Sequence, residues 1–334
     1  MVKKKQIEML RKLSVVLQQD MLIADLEFLE AKYKFMIRKL VAQFTGDASV
    51  AFEIARIQKK MGLLCKYKSY GVKACTPLGY AIFLLNPGEG FSFQNHLDFK
   101  IELFHILEVI DQGYVYISSQ AKWNRIYDEN KFRRWFVGEH FPEYNAGKIF
   151  VCPGDVIKIN QTGIVHTAIG CVLEEFANVS TDMVERLFDQ NKGKSIPSYF
   201  SRMSVYEKIS QLDFPISMQE VSHTGNHKRK TIKFCKTKYG RVFSFQKSRE
   251  LTAERHTIDA HRTMLLAGDG CYLSLFVTNG EGKLTIKNLS EKILIVAKGE
   301  SVLLIPGVSW ELENTLDFPL EFSFLAIHEK NALK

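Results

Sequence analysis

The sequence predicts a mainly β protein in which a helical segment precedes two β-barrels in tandem. Up to about residue 65, apolar residues recur at spacings of three and four, which is typical of amphipathic helices. From about residue 75, short runs of Phe, Ile, Val and Tyr alternate with Gly, Pro, Asn and Asp, as in the strands and turns of a sandwich or barrel. Residues 191–222 interrupt this pattern and are predicted to be a linker between two β-regions.

The helical segment is assigned to residues 1–70. Ile7, Leu10 and Leu13 recur at helical spacing and predict one buried helix face. Asp47 is the predicted N-cap of a later helix, because a carboxylate at that position can accept hydrogen bonds from N–H groups of the first turn. We expect the segment to pack on the first barrel or on a partner chain, and a homodimer through these helices is the assembly that this packing suggests.

The charge of the chain is concentrated at one end. The 334 residues carry a net charge of +8; residues 1–80 hold 15 Lys and Arg against 7 Asp and Glu, and the remaining residues hold 30 of each. We interpret the excess as a solvated helix face and expect no nucleic-acid partner, because no nucleic-acid-binding motif accompanies these lysines. No apolar run reaches the roughly 18 residues that span a bilayer, and the N-terminus lacks a signal-type core. We therefore expect a cytoplasmic protein with no membrane partner.

The two β-regions, residues 71–190 and 223–334, share a local device. The first contains "CPGDVIKINQTGIVH" and the second contains "AKGESVLLIPGVSWEL". Each places a turn of Gly and an acidic residue, then a strand, then a second turn before the next strand. This repetition predicts two related barrels.

The stretch "GFSFQNHLDFKIELFHILEV", residues 90–109, carries polar side chains at every second position. In a continuous strand such residues share one face, and the row is Ser92, Gln94, His96, Asp98, Lys100 and Glu102. Oxygen atoms and an imidazole that converge on one point suit a divalent metal. A second imidazole, His166, follows the turn at the end of "PGDVIKINQTGIVH". It completes the predicted ligand set of Gln94, His96, Glu102 and His166.

Two alternatives to this metal site follow from the same residues. The polar row could instead face solvent, as alternating strands often do. A set of two histidines and one carboxylate, formed by His96, Asp98 and His166, would instead indicate a non-haem iron oxygenase.

Four motifs in this chain resemble those of the type I mannose-6-phosphate isomerases, a family of zinc-dependent tandem cupins. "SFQNH" matches the family's Ser-x-Gln-x-His, and "KIELFHIL" matches its Lys-x-Glu before an aromatic and apolar strand. "PGDVIKINQTGIVHTA" resembles a Pro-Gly-Asp strand that ends in Gly-Thr-x-His-Ala and supplies His166. "EEFANVSTDMVERLFD" resembles a Glu strand followed by Ser-Asp-x-x-x-Arg, with "STD" in place of Ser-Asp, and supplies Asp182 and Arg186. The motifs occur in the family's order, and the resemblance runs from about residue 80 to the C-terminus.

The resemblance implies tandem cupin barrels, which are double-stranded β-helices of jelly-roll type. It assigns a metal-binding cupin to residues 71–190 and a metal-free cupin to residues 223–334. It implies that Zn²⁺, or another divalent metal, is held by the four predicted ligands and that Arg186 lies at the catalytic centre. Lys100 is assigned either to phosphate binding or to proton transfer. The residues implied in substrate binding are Ser92, Lys100, Glu175 and Asp182, with Glu174 as an alternative to Glu175.

The implied activity is aldose–ketose isomerisation of a sugar phosphate, mannose-6-phosphate to fructose-6-phosphate, through an enediol. This chain departs from the family where a basic helical segment replaces the usual N-terminal strands, and where only three residues separate His96 from Lys100. These departures leave open another aldose substrate, or a non-catalytic sugar-binding or regulatory bicupin that keeps the metal.

Overall fold

The structure, a computed structural model, describes most of the chain. The described residues are 2–16, 36–37, 39–40, 43–65, 72–75, 79–86, 90–91, 93–96, 100–118, 146–159, 166–178, 184–188, 221–224, 234–267, 270–287 and 289–328. The chain divides into two compact units. The terminal unit comprises both ends of the chain, Met1–Ala81, Asn178–Ser180 and Thr231–Lys334, and the central unit comprises Ile82–Ala177 and Thr181–Lys230.

Helix α1 spans Val2–Val16 and helix α2 spans Ala48–Cys65. Leu10 and Leu13 of α1 are buried as predicted, but Ile7 is 37% exposed, so the buried face is narrower than the spacing suggested. Among the described residues, no helix is both long and apolar enough to cross a membrane.

Asp47 caps the start of α2, which confirms the prediction. Its Oδ1 accepts hydrogen bonds from the backbone N–H groups of Ser49 and Val50, at 2.9 and 3.1 Å. Its Oδ2 lies 2.5 Å from Nζ of Lys3 in α1. The ammonium of Lys3 is the largest influence on the pKa of Asp47 and holds it below its ordinary value, although burial acts in the opposite direction. One carboxylate therefore both starts α2 and ties it to α1.

Helix α2 packs on the strands of the terminal unit. Ala51, Phe52 and Ala55 belong to one buried cluster with strand residues such as Trp310 and Phe322. We expected the first barrel or a partner chain; α2 does lie beside Val72–Cys75 of the first β-region, but its buried side chains belong to a different core. The α2 side chains complete the core of the second β-region instead.

Nineteen strands lie within the described residues. They are β1 Val72–Cys75, β2 Tyr80–Leu84, β3 Phe93–His96, β4 Glu102–Ser118, β5 Ala146–Phe150, β6 Val156–Ile159, β7 His166–Ala177, β8 Val184–Phe188, β9 Val221–Thr224, β10 Phe234–Lys236, β11 Gly240–Lys247, β12 Leu251–Ile258, β13 Thr263–Ala267, β14 Cys271–Asn279, β15 Glu281–Ile286, β16 Leu289–Ala297, β17 Ser301–Leu304, β18 Ser309–Asn314 and β19 Leu320–His328. Strands β1 to β9 form one sheet.

In the central unit, β4 pairs antiparallel with both β6 and β7. The β4–β7 ladder shifts register between Ile106 and Glu108 and again between Val109 and Tyr114. Gly170 of β7 lies opposite the second shift with φ of +64°, and a Cβ there would lie 3.1 Å from the backbone oxygen of Gln112. Bulges bend a strand and increase its twist, so the ribbon of β4 and β7 curls strongly here.

The terminal unit contains two sheets that share one core. The first sheet has the order β10-β11-β12-β19-β14-β17, and the second has the order β13-β18-β15-β16. Leu284 and Trp310 of the second sheet and Phe322 of the first belong to the same buried cluster. The predicted mainly β fold with N-terminal helices is confirmed.

The predicted turn of Gly and an acidic residue is present in the central unit between β5 and β6. Gly154 has φ of +89°, and its N–H donates to the oxygen of Ile106 at 2.8 Å. The N–H of Ile106 donates to the backbone oxygen of Asp155 at 2.9 Å. The Asp155 carboxylate accepts from the N–H of Cys152 at 2.8 Å and closes the turn.

The same hydrogen bonds recur in the terminal unit between β16 and β17. Gly299 has φ of +83°, its N–H donates to the oxygen of Val277 at 2.8 Å, and the N–H of Val277 donates to the oxygen of Glu300 at 2.9 Å. The Glu300 carboxylate accepts from the N–H of Ala297 at 2.8 Å. Ile106 of β4 and Val277 of β14 thus occupy corresponding positions in the two units.

Candidate metal centre

The polar stretch that predicted the site forms two strands rather than one. β3 ends at His96 and β4 begins at Glu102. The expectation of one continuous row of polar residues is therefore wrong. Gln94 of β3 lies opposite His166 of β7 and also opposite Arg186 of β8. The register thus places the backbones of three predicted site residues side by side.

The segment before β3 is fixed against β7 next to His166. The N–H of Phe91 donates to the oxygen of Ala168 at 3.2 Å, and the hydroxyl of Thr167 donates to the oxygen of Phe91 at 2.7 Å. Gly90 forms a further antiparallel bridge with Ile169. These contacts explain why a short strand of four residues delivers Gln94 to His166.

Glu102 and His166 face one another in the interior of the central unit. Oε2 of Glu102 lies 2.9 Å from Nε2 of His166, and both side chains are 0% exposed. Glu102 begins β4, whereas His166 pairs with Ile117 near the other end of that strand. The two side chains can meet because the β4–β7 ribbon curls at its register shifts.

Lys100 joins this pair to a second carboxylate. Its Nζ donates to Oε1 of Glu102 at 2.6 Å and to Oε1 of Glu175 at 3.2 Å. Burial opposes the charge of Lys100, but the carboxylates of Glu102 and Glu175 raise its pKa above the ordinary value. Burial and the neighbouring Glu102 raise the pKa of Glu175 to about 8, and Lys100 offsets part of that rise.

The floor of the site is apolar. The Phe104 ring centroid lies 6.0 Å from that of His166 and 5.9 Å from that of Phe91. Phe104 belongs to a buried cluster that also contains Ile106 and Leu173. Electrostatic interactions are stronger in such surroundings than in water.

The described donor atoms fit a divalent metal. An imidazole nitrogen and a carboxylate oxygen are ligands that zinc accepts, and here they face each other away from solvent. The described part of the chain contains no group of three or more His, Cys, Asp or Glu arranged for a metal. The side chains of His96 and Arg186 lie outside the described residues, as do Ser92, Asp98 and Asp182.

Sequence reasoning missed a second buried pair in the central unit. Nδ1 of His105 lies 2.6 Å from Oε1 of Glu174, and the two residues are opposed in the β4–β7 ladder. Alternation along β4 and β7 places this pair on the face opposite to Glu102 and Glu175. Of the two candidate glutamates, only Glu175 contacts Lys100 in the described structure.

No protein-family model matches this chain, and no curated protein sequence matches it. Its fold is similar to the mannose 6-phosphate isomerase of Bacillus subtilis, with 15% identity, a TM-score of 0.49 and coverage of 74% of each chain. It is also similar to an Archaeoglobus fulgidus protein with a provisional assignment as a mannosephosphate isomerase, with 13% identity, a TM-score of 0.47 and coverage of 80% of this chain and 79% of that one.

A further similar structure is the oxalate decarboxylase of Lactobacillus farciminis in a formate complex. The identity is 13%, the TM-score is 0.42, and the match covers 76% of this chain and 78% of that one.

Proposed function

We propose that this protein is a metal-dependent aldose–ketose isomerase that acts on a sugar phosphate and interconverts mannose-6-phosphate and fructose-6-phosphate. The observation that supports this most is the contact at 2.9 Å between Glu102 and His166, both fully buried. These residues come from two separate motifs of the resemblance. A fully buried polar pair in an apolar barrel is costly for folding, and a metal-dependent function accounts for its presence.

The proposed metal ligands are Gln94, His96, Glu102 and His166. When bound, zinc or another divalent metal supplies a Lewis acid that polarises the oxygens on the first two carbons of the sugar. Glu102 and His166 present their donor atoms in the interior, and the apolar floor around Phe104 limits the access of water.

Isomerisation moves a proton between two neighbouring carbons through an enediol, and negative charge develops on the adjacent oxygens. We assign stabilisation of that charge to the guanidinium of Arg186, whose backbone lies opposite that of Gln94. Ser92, Glu175 and Asp182 are assigned to substrate binding. Glu175 is the member of this set whose described side chain reaches the site, through Lys100.

The experiment combines turnover with metal analysis on the full chain. We expect the zinc-loaded protein to convert mannose-6-phosphate to fructose-6-phosphate and to exchange a substrate proton with solvent. Glu102→Gln should lose both metal and turnover, whereas His105→Gln, on the opposite face of β4, should keep the metal. Metal retention without turnover on any hexose or pentose phosphate would favour the non-catalytic bicupin. Loss of iron in Asp98→Asn but not in Glu102→Gln would favour the oxygenase.

A further inference from the structure

The two carboxylate oxygens of Glu102 have different partners, and Lys100 is one of them. The ammonium holds Oε1 at 2.6 Å, and the other oxygen, Oε2, faces Nε2 of His166 at 2.9 Å. The same ammonium reaches Oε1 of Glu175 at 3.2 Å and so connects the start of β4 to β7. The Lys100 side chain is 9% exposed.

We propose that Lys100 is a positioning residue of the metal centre, which fixes the rotation of the Glu102 carboxylate so that Oε2 stays directed at His166. This inference rests on the proposed function, because it assumes that Glu102 is a ligand. A carboxylate that is held only at Oε2 can rotate about its terminal bond. When Oε1 also accepts a hydrogen bond from a buried ammonium, that rotation is no longer free. Partners that orient a ligand in this way typically contribute tenfold to a hundredfold in metal affinity.

The geometry argues against phosphate binding by Lys100. An ammonium has three donors, and two of them are directed at Glu102 and Glu175. A phosphate could take the third donor only beside two carboxylates, which already offset the charge of the ammonium and would repel the phosphate anion. Lys100 therefore stays with the carboxylates, and other residues set the affinity for the phosphate group.

The test measures Zn²⁺ affinity in the metal-free, full-length protein by competition with a chromophoric chelator. Lys100→Met should bind Zn²⁺ about 10- to 100-fold more weakly than wild type. Lys287→Met, which removes an exposed lysine, is the matched control and should not change the affinity. Removal of a positive charge would by itself strengthen the binding of a cation, so weaker binding identifies lost positioning. Unchanged or tighter binding in Lys100→Met would overturn the inference.

Two further variants keep the test decisive if Lys100→Met folds poorly. Lys100→Arg retains a cation and donors beside Glu102 and should lose less affinity than Lys100→Met. In the double variant Lys100→Met/Glu175→Gln, the carboxylate of Glu175 is also neutralised, so it is not left buried without its cation. This variant should show the same weak Zn²⁺ binding as Lys100→Met. Wild-type affinity in the double variant would contradict the positioning role.

A second arm separates this inference from the phosphate role and from the proposed function. Mannose-6-phosphate affinity is measured by calorimetry in Lys100→Met loaded with saturating Zn²⁺, and we expect it to fall by a smaller factor than the Zn²⁺ affinity does. A large loss of sugar-phosphate affinity with unchanged Zn²⁺ affinity would make Lys100 a phosphate ligand and overturn the inference alone. Absence of stoichiometric metal in wild type would overturn both the inference and the proposed function.

Discussion

The two units of this chain have the same turn next to the same strand pairing, but at corresponding buried positions one has charged side chains and the other has apolar ones. In the central unit, Glu102 lies four residues before the position that binds the turn, and it pairs with Ile159 and Ala177. In the terminal unit, Leu273 lies four residues before the corresponding position and pairs with Leu304 and Ala326. A buried leucine therefore stands where the central unit has a buried carboxylate.

A second pair of corresponding positions shows the same change. Glu175 lies opposite Phe104 in the central unit, and Phe324 lies opposite Leu275 in the terminal unit. Leu275 and Phe324 belong to the main core cluster of the terminal unit. The shared backbone is thus compatible with apolar side chains at both positions, so the fold itself does not require Glu102 and Glu175.

The terminal unit does contain a buried histidine beside a glutamate, but its ring is fully engaged. Nε2 of His256 lies 2.9 Å from Oε2 of Glu254, and Nδ1 lies 3.2 Å from the hydroxyl of Tyr239. The ring also stacks on Phe322 with an interplanar angle of 8°. Because both ring nitrogens have protein partners, we interpret His256 as a structural residue rather than a ligand.

The largest expected effect comes from placing a carboxylate in the terminal unit at the position that corresponds to Glu102. Leu273→Glu should destabilise the terminal unit by about 3–5 kcal/mol, since a buried charge there has no cation like Lys100. Leu273→Met, which keeps the volume and stays apolar, should cost less than about 1.5 kcal/mol. Urea unfolding of both variants measures the difference. A small loss in Leu273→Glu would show that the terminal interior accepts a carboxylate.

The next effect concerns catalysis in the central unit. Arg186→Ala should lower kcat on mannose-6-phosphate by about 10²–10³-fold, which is typical for loss of one preorganised group that stabilises charge. Metal content should not change, because a protonated guanidinium is not a ligand. Arg186→Lys should restore little, since a flexible point charge does not reproduce the planar fork. A kcat near wild type in Arg186→Ala would remove Arg186 from the mechanism.

A smaller effect tests the bend that brings Glu102 to His166. Gly170→Ala should cost more than the roughly 1–2 kcal/mol of a non-glycine residue in the left-handed region, because the new Cβ would also press on the backbone oxygen of Gln112. Gly154→Ala is the matched control, since Gly154 also has positive φ but has nothing within 4 Å of the added Cβ. Equal losses of unfolding free energy in the two variants would argue against a special role for the bend.

The smallest effect concerns the N-cap of α2. Among the described residues, helices occur in the terminal unit and not in the central unit. Asp47→Ala should lower the free energy of unfolding by about 1 kcal/mol at pH 7, whereas Asp47→Asn keeps a capping oxygen and should lose less. The folded-state pKa of Asp47 is lowered. Its charge-dependent stabilisation is therefore complete above the unfolded pKa of about 3.9 and is lost as the pH falls through the folded value. The difference in unfolding free energy between wild type and Asp47→Asn should therefore shrink as the pH falls below about 3.9. A difference that stayed constant would contradict the ion pair with Lys3.

Local chemistry could be predicted from the sequence, and long-range packing could not. The turns at Gly154 and Gly299 were predicted because a glycine and an acidic side chain determine them within a few residues. The cap at Asp47 was predicted for the same reason. The attachment of α2 to the second β-region was not predicted, since an amphipathic helix shows which face is buried but not against what.

The candidate site shows the same division. The motifs brought Glu102 and His166 into one predicted ligand set, and the structure places them in contact. The break between β3 and β4 was not predicted, because alternation cannot show where a strand stops. The contacts of Lys100 depend on the pairing of β4 with β7, which places Glu175 beside Glu102, and no pattern in the sequence records that pairing.

The contrast between a polar and an apolar interior is tested most directly by the metal content of the purified full-length protein and two histidine variants. We expect about one divalent ion per chain in wild type, none in His166→Ala, and about one in His256→Phe. Full occupancy in His166→Ala would contradict the metal centre of the central unit. Loss of metal in His256→Phe, with the fold intact by circular dichroism, would move the site to the terminal unit and contradict the account.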